Sequence, residues 1–295
     1  MQIKNSSSKF QLGALMTPGL LIFVMFTIYP ILRLLIASFH DWTLASMIKQ
    51  PFIGWENYKT VFSDKTFWIA FENSIVYALV TVPGQMFLGL LVAILIDGIR
   101  KASVGFRVLN YLPVITSWVI VSLIFKYIFN TEGLLNYFLF NILHITSKNV
   151  RWLDFRWSGL WVAMFLGIWK GVGWNMVVFL AALQQVPKVL YEAAELDGCK
   201  PIRKFFSITL PSIKGSVLFA WVMLTIGAFN VYTSIKLITN GAPAHKTETL
   251  LTWMYYKAFS TGEFGYSAAL SFVMALTLCI LAIIQFKIMN KKGDE

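Results

Sequence analysis

Six long apolar segments are the feature that most constrains the fold of this chain of 295 residues. A helix needs about 20 consecutive, mainly apolar residues to cross the hydrocarbon core of a bilayer. Five of the segments contain no charged residue over 18 to 24 positions, and the sixth is interrupted only by Lys170. Charged residues make up 13% of the sequence, against roughly 25% in soluble domains. The sequence therefore predicts an all-α, polytopic membrane protein. Its six predicted transmembrane helices are Leu12–Leu32, Asn73–Ile96, Val108–Phe125, Trp157–Pro187, Gly215–Ile235 and Phe264–Phe286.

The distribution of Lys and Arg predicts the orientation. With both termini in the cytoplasm, the inner segments hold 13 Lys and Arg in 58 residues, and the three outer loops hold 8 in 87. Short cytoplasmic loops carry such an excess, so a multi-pass protein of the cell membrane with both termini cytoplasmic is expected. The bases are scattered over several loops, which argues against nucleic-acid binding. The inner segments are 1–11, 97–107, 188–214 and 287–295, and the outer loops are 38–67, 127–156 and 237–263.

Several kinds of chemistry have no residues to support them. The three histidines all fall in predicted outer loops without metal-ligand spacing, and the sequence contains neither a G-x-S-x-G nor a Walker A motif. Transporters driven by ions place acids or histidines inside the membrane, whereas Lys170 is the single charge deep within a predicted span here. We therefore expect no catalytic residue, no metal, no cofactor and no ATPase site. Six tryptophans near predicted span ends are expected to form an interfacial belt: Trp42, Trp55, Trp68, Trp118, Trp152 and Trp157.

The segment Glu192–Pro211 is richer in charge than a simple connection between two spans requires. Pro187 is expected to end the fourth span. Gly198 can supply the left-handed conformation that commonly ends a helix, and Pro201 suits the first position of a second short helix. The segment is predicted to be either a docking surface for another protein or an amphipathic hairpin in the headgroup layer. One face of its first helix is apolar, with Val189, Leu190, Ala193 and Leu196 at helical spacing.

The same segment resembles the EAA motif of permeases in binding-protein-dependent ABC importers. Glu192-Ala193-Ala194 is followed after three residues by Gly198, then after nine residues by Ile208 and after one more residue by Leu210-Pro211. This resemblance implies a coupling helix that docks on an ATPase subunit. The coupling residues that it implies are Glu192, Ala193, Ala194, Asp197 and Gly198.

Further stretches extend the resemblance from Leu12 to Lys287. "FIGWENY" (Phe52–Tyr58) is similar to the sugar-transporting branch, and "ITNGAPAHKTETLLTWMYYKAF" (Ile238–Phe259) is similar to the first of the two membrane subunits in maltose-type systems. Cys199 stands where Ala is usual, and Ala242 where Gly is common. The resemblance implies the type I ABC importer permease fold, divided into a cytoplasmic N-terminus (1–11), a first transmembrane helix with its outer loop (12–67), a five-helix core (68–287) with the coupling loop 188–210, and a cytoplasmic tail (288–295).

The resemblance also implies partners and a mechanism. A second permease subunit would complete a heterodimer, two cytoplasmic ATP-binding subunits would drive it, and an extracellular solute-binding protein would deliver a carbohydrate. Transport would proceed by alternating access. Two other functions are considered: a permease of the same superfamily for a polyol or glycerol phosphate, and a membrane docking subunit that transports nothing.

The substrate residues are expected around Lys170. A charge at mid-membrane costs at least ~2.5–3.5 kcal/mol, so Lys170 should face a wet cavity, a backbone carbonyl or an acid of a partner subunit. Gly167, Gly171 and Trp174 share its helical face, and this pattern suits a sugar ring stacked on the indole, although Trp174 could equally pack against a neighbouring helix. An acidic oligosaccharide or sugar phosphate would give Lys170 a charge partner. By comparison with maltose-type relatives, the next span adds Leu224, Ala228, Asn230 and Tyr232.

Overall fold

A computed structural model describes residues 6–45, 50–99, 103–146 and 148–291, and these ranges are almost entirely helical. Three short π-helical stretches, Val24–Ile28, Tyr137–Ile142 and Phe205–Thr209, continue α-helices. The α-helices in chain order are α1 Ser6–Phe23, α2 Tyr29–Ser38, α3 Glu56–Ser63, α4 Lys65–Asp97, α5 Ser103–Ile115, α6 Trp118–Ile128, α7 Leu134–Asn136, α8 Arg156–Leu183, α9 Lys188–Leu196, α10 Pro201–Lys204, α11 Leu210–Ser212, α12 Lys214–Phe229, α13 Thr233–Ile238, α14 Leu250–Phe259 and α15 Phe264–Lys291.

Among the described residues, five helical segments are long and apolar enough to cross a membrane, and a bent pair of helices brings the number to six. The predicted all-α polytopic fold is therefore confirmed. The observed helices are longer than the apolar runs at several ends, because polar residues continue them beyond the apolar part. The five segments are Leu15–Ser38, Lys65–Asp97, Arg156–Leu183, Lys214–Ile238 and Phe264–Met289.

Three of the predicted spans differ from the observed helices. The third, Val108–Phe125, was expected to be one helix, but α5 and α6 meet at Thr116-Ser117 with an angle of 88° between them. Ser117 is extended there, with φ −62° and ψ 132°. In the fifth span, helix α12 ends at Phe229 and α13 starts at Thr233.

The fourth span ends at Leu183, before Pro187. The N–H groups of Gln185 and Val186 bond to carbonyls three residues back, and this tightened turn closes the helix. Pro187 instead precedes α9 as its N-cap residue. The expected helix boundary at Pro187 is therefore wrong by four residues.

The described residues form two compact units, of which the first comprises Met1–Asp64 and Met254–Val273. Nearly every described side chain from Leu15 to Ile36 is exposed, as expected of a helix that faces lipid or another subunit. The "FIGWENY" stretch ties down the end of α2, because the Asn57 amide donates to the carbonyls of Ser38 (2.9 Å) and His40 (3.0 Å). These bonds satisfy carbonyls that a helix end leaves unpaired.

The second unit comprises Lys65–Trp253 and Met274–Glu295, and the packing of α4 against α8 forms its centre. Small residues allow the two backbones to approach closely, as is common between helices in membranes. A Cβ atom at Gly89 would lie 2.4 Å from the Asn175 Cβ, and one at Gly84 would lie 2.9 Å from Ile168. Helix α5 approaches α8 in the same way, because a Cβ at Gly173 would lie 2.2 Å from the Asn110 carbonyl oxygen.

Candidate functional site

A cavity of about 630 Å³ opens between α4, α8, α12, α13 and the α5–α6 bend. Its volume lies within the range of roughly 300–1,000 Å³ that is usual for small-molecule sites. All eight residues that the sequence predicts as substrate-binding line it, although whether they bind substrate stays a prediction. They are Gly167, Lys170, Gly171, Trp174, Leu224, Ala228, Asn230 and Tyr232.

The space beside the two glycines is filled from α4 and is not an open hollow. A Cβ at Gly167 would lie 2.5 Å from the Tyr77 hydroxyl, and one at Gly171 would lie 1.9 Å from Gln85 Oε1. The glycines therefore admit these two side chains, which also line the cavity. At this place the wall offers a hydroxyl and an amide in addition to aromatic rings.

The remaining wall combines aromatic faces with polar atoms. Trp174 lines the cavity and also lies beside Phe219, with ring centroids 6.3 Å apart, so its geometry is compatible with both packing and stacking on a ligand. Asn230 donates its amide hydrogen to the Ile226 carbonyl at 2.8 Å. Gln85 lines the cavity, and within the part of the chain that the structure describes its side-chain amide forms no hydrogen bond, which leaves the amide available to a ligand.

Lys170 is buried, with 3% of its surface exposed, and its ammonium group is bonded to the backbone at the α5–α6 bend. Its Nζ lies 2.6 Å from the Pro113 carbonyl oxygen, 2.6 Å from that of Thr116 and 3.2 Å from that of Val114. The Trp118 ring centroid lies 5.0 Å from the same atom, within the distance of a cation–π contact. Of the alternatives considered for Lys170, the geometry shows bonds to backbone carbonyls at the edge of the cavity that Lys170 also lines.

The predicted coupling segment forms two short helices, as expected. Gly198 follows α9 with a φ of +69°, and Pro201 begins α10. The hydroxyls of Tyr191 and Thr209 lie 3.0 Å apart, and Lys204 pairs with Glu195 at 2.7 Å, so α9 is held against the following turn.

The two faces of α9 differ in burial. Ala194 is buried against the chain itself, whereas Ala193 and Glu192 are exposed. The apolar face is also exposed: Leu196 has 90% of its surface accessible and Val189 has 70%. Of the two alanines, therefore, only Ala193 lies where another protein could touch it, and Asp197 and Gly198 are exposed beside it.

Nine residues that line the cavity were not selected from the sequence, and Tyr77, Gln85 and Trp118 are the three of them with the largest polar or aromatic side chains on α4 and at the α5–α6 bend. Tyr77 and Gln85 lie on one face of α4, eight residues apart with Thr81 midway. A polar stripe in an otherwise apolar span was the feature that could have identified them. Trp118 was assigned to the interfacial belt as one of six tryptophans near predicted span ends, and in the structure it lies at the helix break beside Lys170.

Comparison with solved structures supports the fold. The chain superposes on a chain from the crystal structure of a bacterial ABC transporter involved in the import of the acidic polysaccharide alginate, with a TM-score of 0.82 and 21% identity, over 97% of this chain and 96% of that one. At this level of identity the similarity concerns the fold.

Relatives in sequence cover nearly the whole chain. A probable ABC transporter permease of Bacillus subtilis is 34% identical over 93% of this chain and 94% of its own length. The sulfoquinovosyl glycerol transport permease SmoG of Agrobacterium fabrum is 33% identical (91% and 87%), and the arabinooligosaccharide transport permease AraP of Halalkalibacterium halodurans is 30% identical (98% and 92%). Residues 70–292 match the family of binding-protein-dependent transport system inner membrane components. This chain is a member of that family, a multi-pass permease subunit of an ABC importer.

Proposed function

We propose that this permease translocates a neutral sugar or oligosaccharide through the cavity beside α8. The observation that carries the proposal is the lining of that cavity, in which Trp174 and Trp118 offer aromatic faces and Gln85 offers an unbonded amide. Sugar rings combine apolar C–H faces with hydroxyl groups, so both kinds of surface are needed to hold one. Relatives named for arabinooligosaccharides and lactose support the same class of substrate.

The glycerol phosphate alternative has less support, whereas a polyol is neutral and carries the same hydroxyl groups as a sugar. A phosphate is bound most strongly by hydrogen-bond donors with positive charge, and among the described residues that line the cavity Lys170 is the only charged one. Its ammonium hydrogens already point at backbone carbonyls. A subunit that only docks and transports nothing would have no use for a cavity of this size and lining.

Energy would come from partner proteins. We assign ATP hydrolysis to two cytoplasmic ATP-binding subunits and delivery of the sugar to an extracellular solute-binding protein. The exposed apolar face of α9, with Glu192 and Ala193 beside it, would seat in a groove of an ATPase subunit. A second permease subunit would complete the pathway and cover part of the exposed first span.

The test is uptake by the assembled transporter, with labelled arabinotriose, lactose and an alginate oligosaccharide as probes. We expect uptake of a neutral probe, and a loss of roughly tenfold in Trp174→Ala, because an aromatic contact contributes ~0.5–1.5 kcal/mol beyond its buried area. Trp161→Ala is the control, because Trp161 lies on the same helix with 55% of its surface exposed. If neither neutral probe is taken up, or if the two variants behave alike, the proposed site is wrong.

A further inference from the structure

The third predicted span is broken between α5 and α6, although a continuous helix would have satisfied all of its internal backbone hydrogen bonds. In an unbroken helix the carbonyls of Pro113 and Val114 would accept from the N–H groups of Ser117 and Trp118. The extended Ser117 removes these donors, and α6 starts a new set of bonds with Val121 N–H to Ser117 O at 3.1 Å. A break inside a membrane-spanning region thus leaves carbonyls that lipid cannot satisfy.

The Lys170 side chain supplies donors to these carbonyls, and the Thr116 hydroxyl also donates to the Pro113 carbonyl, at 2.6 Å. An ammonium group has three hydrogens, and three carbonyls lie within 3.2 Å of Nζ, at Pro113, Val114 and Thr116. These carbonyls lie at the C-terminal end of α5, where the helix dipole favours a positive charge. One side chain of α8 therefore bonds three carbonyls at the broken end of α5.

Close packing brings the two helices within reach. Gly173 lies three residues after Lys170 on α8, and a Cβ atom there would come within 2.2 Å of the Asn110 carbonyl oxygen. Without that contact the α5 backbone would have to lie farther from α8. The same ammonium lies 5.0 Å from the Trp118 ring, which lines the cavity.

From these contacts we infer that Lys170 is a positioning residue. Its ammonium group bonds the carbonyls at the broken end of α5, a contact that we call the clasp. The clasp fixes the α5–α6 bend and thereby the position of Trp118 in the cavity wall. Lys170 is therefore not the counter-ion of an acidic substrate, since its donors are occupied. The inference rests on the proposed function only for the nature of the solute. The clasp itself concerns backbone geometry and can be measured without any solute.

The first experiment measures the bend in the assembled transporter. Spin labels are placed at Val104→Cys and Tyr127→Cys, which are 69% and 74% exposed, with the native cysteines Cys199 and Cys279 changed to Ser. At 1.5 Å per residue the labelled backbone positions lie about 24 Å apart across a right-angled bend and about 35 Å apart along a straight helix. With Lys170 present we expect a narrow distribution of distances between the two labels, centred on the shorter value. In Lys170→Met this distribution should become broader and extend towards longer distances.

Matched variants separate positioning from other roles. Lys126→Met removes an exposed lysine from α6 and should leave the distance unchanged. Lys170→Arg retains the charge and donors, and should preserve more of the short distance and of neutral-sugar uptake than Lys170→Met, which should lose at least tenfold in uptake. A wild-type distance in Lys170→Met overturns the clasp. A selective loss of alginate-oligosaccharide uptake at unchanged distance would identify a counter-ion instead.

A second measurement needs no substitution, in case Lys170→Met does not fold. An amine-reactive reagent followed by mass spectrometry compares Lys170 with Lys126 in the intact transporter. We expect Lys170 to react at least tenfold more slowly, whether or not arabinotriose or lactose is added. Equal reactivity of the two lysines overturns the clasp. Failure of neutral uptake alone, with Lys170 protected and the bend intact, overturns only the assignment of the sugar.

Discussion

The side-chain amide of Asn73 on α4 donates a hydrogen bond of 2.6 Å to the backbone carbonyl of Glu248, and a second of 2.9 Å to that of Lys246. The Asn73 oxygen accepts from Arg156 at 3.0 Å, and Asn73 is fully buried. One residue thus joins α4, the start of α8 and the loop before α14. Buried backbone carbonyls need partners, so this amide determines where the loop lies.

Asn73→Ala is therefore expected to destabilise the protein strongly. Leaving a buried polar group unpaired costs about 1–3 kcal/mol, and two carbonyls lose their donor here. The measurement is the thermal unfolding temperature of the purified permease in detergent, which should fall by several degrees. Asn149→Ala is the control, because Asn149 is exposed. Equal unfolding temperatures of the two variants would contradict this role of Asn73.

The left-handed backbone conformation of Gly198, directly after α9, can be tested by substitution. Gly198 has a φ of +69°, and no atom lies within 4 Å of where its Cβ would be, so substitution causes strain without a clash. Asn tolerates the left-handed region far better than a β-branched residue. Gly198→Val should reduce uptake and retention of the ATPase roughly tenfold, and Gly198→Asn should reduce them least.

Gly215→Val serves as the matched control for that series. Gly215 also has open space around its Cβ position, but it lacks a positive φ. Uptake and co-purification of the ATPase are compared across the three variants. If Val is tolerated at Gly198 as well as at Gly215, the left-handed turn has no part in the coupling of hydrolysis to transport.

The exposed face of α9 gives a prediction about docking. Leu196 is 90% exposed, and burying a Leu side chain in an interface contributes about 1.5–3 kcal/mol. Leu196→Ser should weaken co-purification of the ATPase about tenfold or more. Glu192→Ala should also weaken it, by ~2–5 kcal/mol if its partner is left buried. Leu134→Ser, at a site 62% exposed in a predicted outer loop, is the control.

Two outcomes of that experiment are distinguishable. If α9 instead lies in the headgroup layer, Leu196→Ser should leave the amount of bound ATPase unchanged. The contact of the loop with lipid would then be the property that weakens. That result would overturn the assignment of α9 as a coupling helix.

The sequence predicts the fold class well and the helix interruptions poorly, for a physical reason. Apolar run length reports the membrane environment, which Val108–Phe125 and Asn73–Ile96 share. Proline does not separate them, because α4 contains Pro83 and still runs unbroken from Lys65 to Asp97. At the break after Pro113, the carbonyl is bonded by the ammonium group of Lys170, which comes from another helix, 57 residues away. The residues around the break do not predict a contact with a residue so distant in the sequence.

The candidate site shows the same limit. Lys170, Trp174 and the glycines share one face of α8 by simple periodicity, so the sequence could group them. It could not show that Tyr77 and Gln85 fill the space beside Gly167 and Gly171, because that depends on how closely α4 and α8 approach. For α9 the apolar face was predictable, but which of Ala193 and Ala194 turns outward required the fold.

The lengths of α5 and α6 indicate whether this bent pair of helices crosses the membrane. The two arms have 13 and 11 residues. At 1.5 Å per residue and a right angle they span about 26 Å, close to the ~30 Å of a hydrocarbon core. The excess of Lys and Arg in the predicted inner segments also predicts that the two ends lie on opposite sides. We therefore expect one crossing, with Gly98 inside and Glu132 outside.

Cysteine labelling decides between a crossing and a re-entrant hairpin. Gly98 and Glu132 are both exposed, so each is changed to Cys in turn, with Cys279 replaced by Ser. An impermeant thiol reagent should label Glu132→Cys in intact cells. Gly98→Cys, in a background that also has Cys199→Ser, should react only in opened cells. The native Cys199, before α10, should behave as Gly98→Cys does, because α8 crosses between Glu132 and Cys199. Labelling of both engineered sites from the same side would show that α5 and α6 re-enter, and the termini would then lie on opposite sides of the membrane.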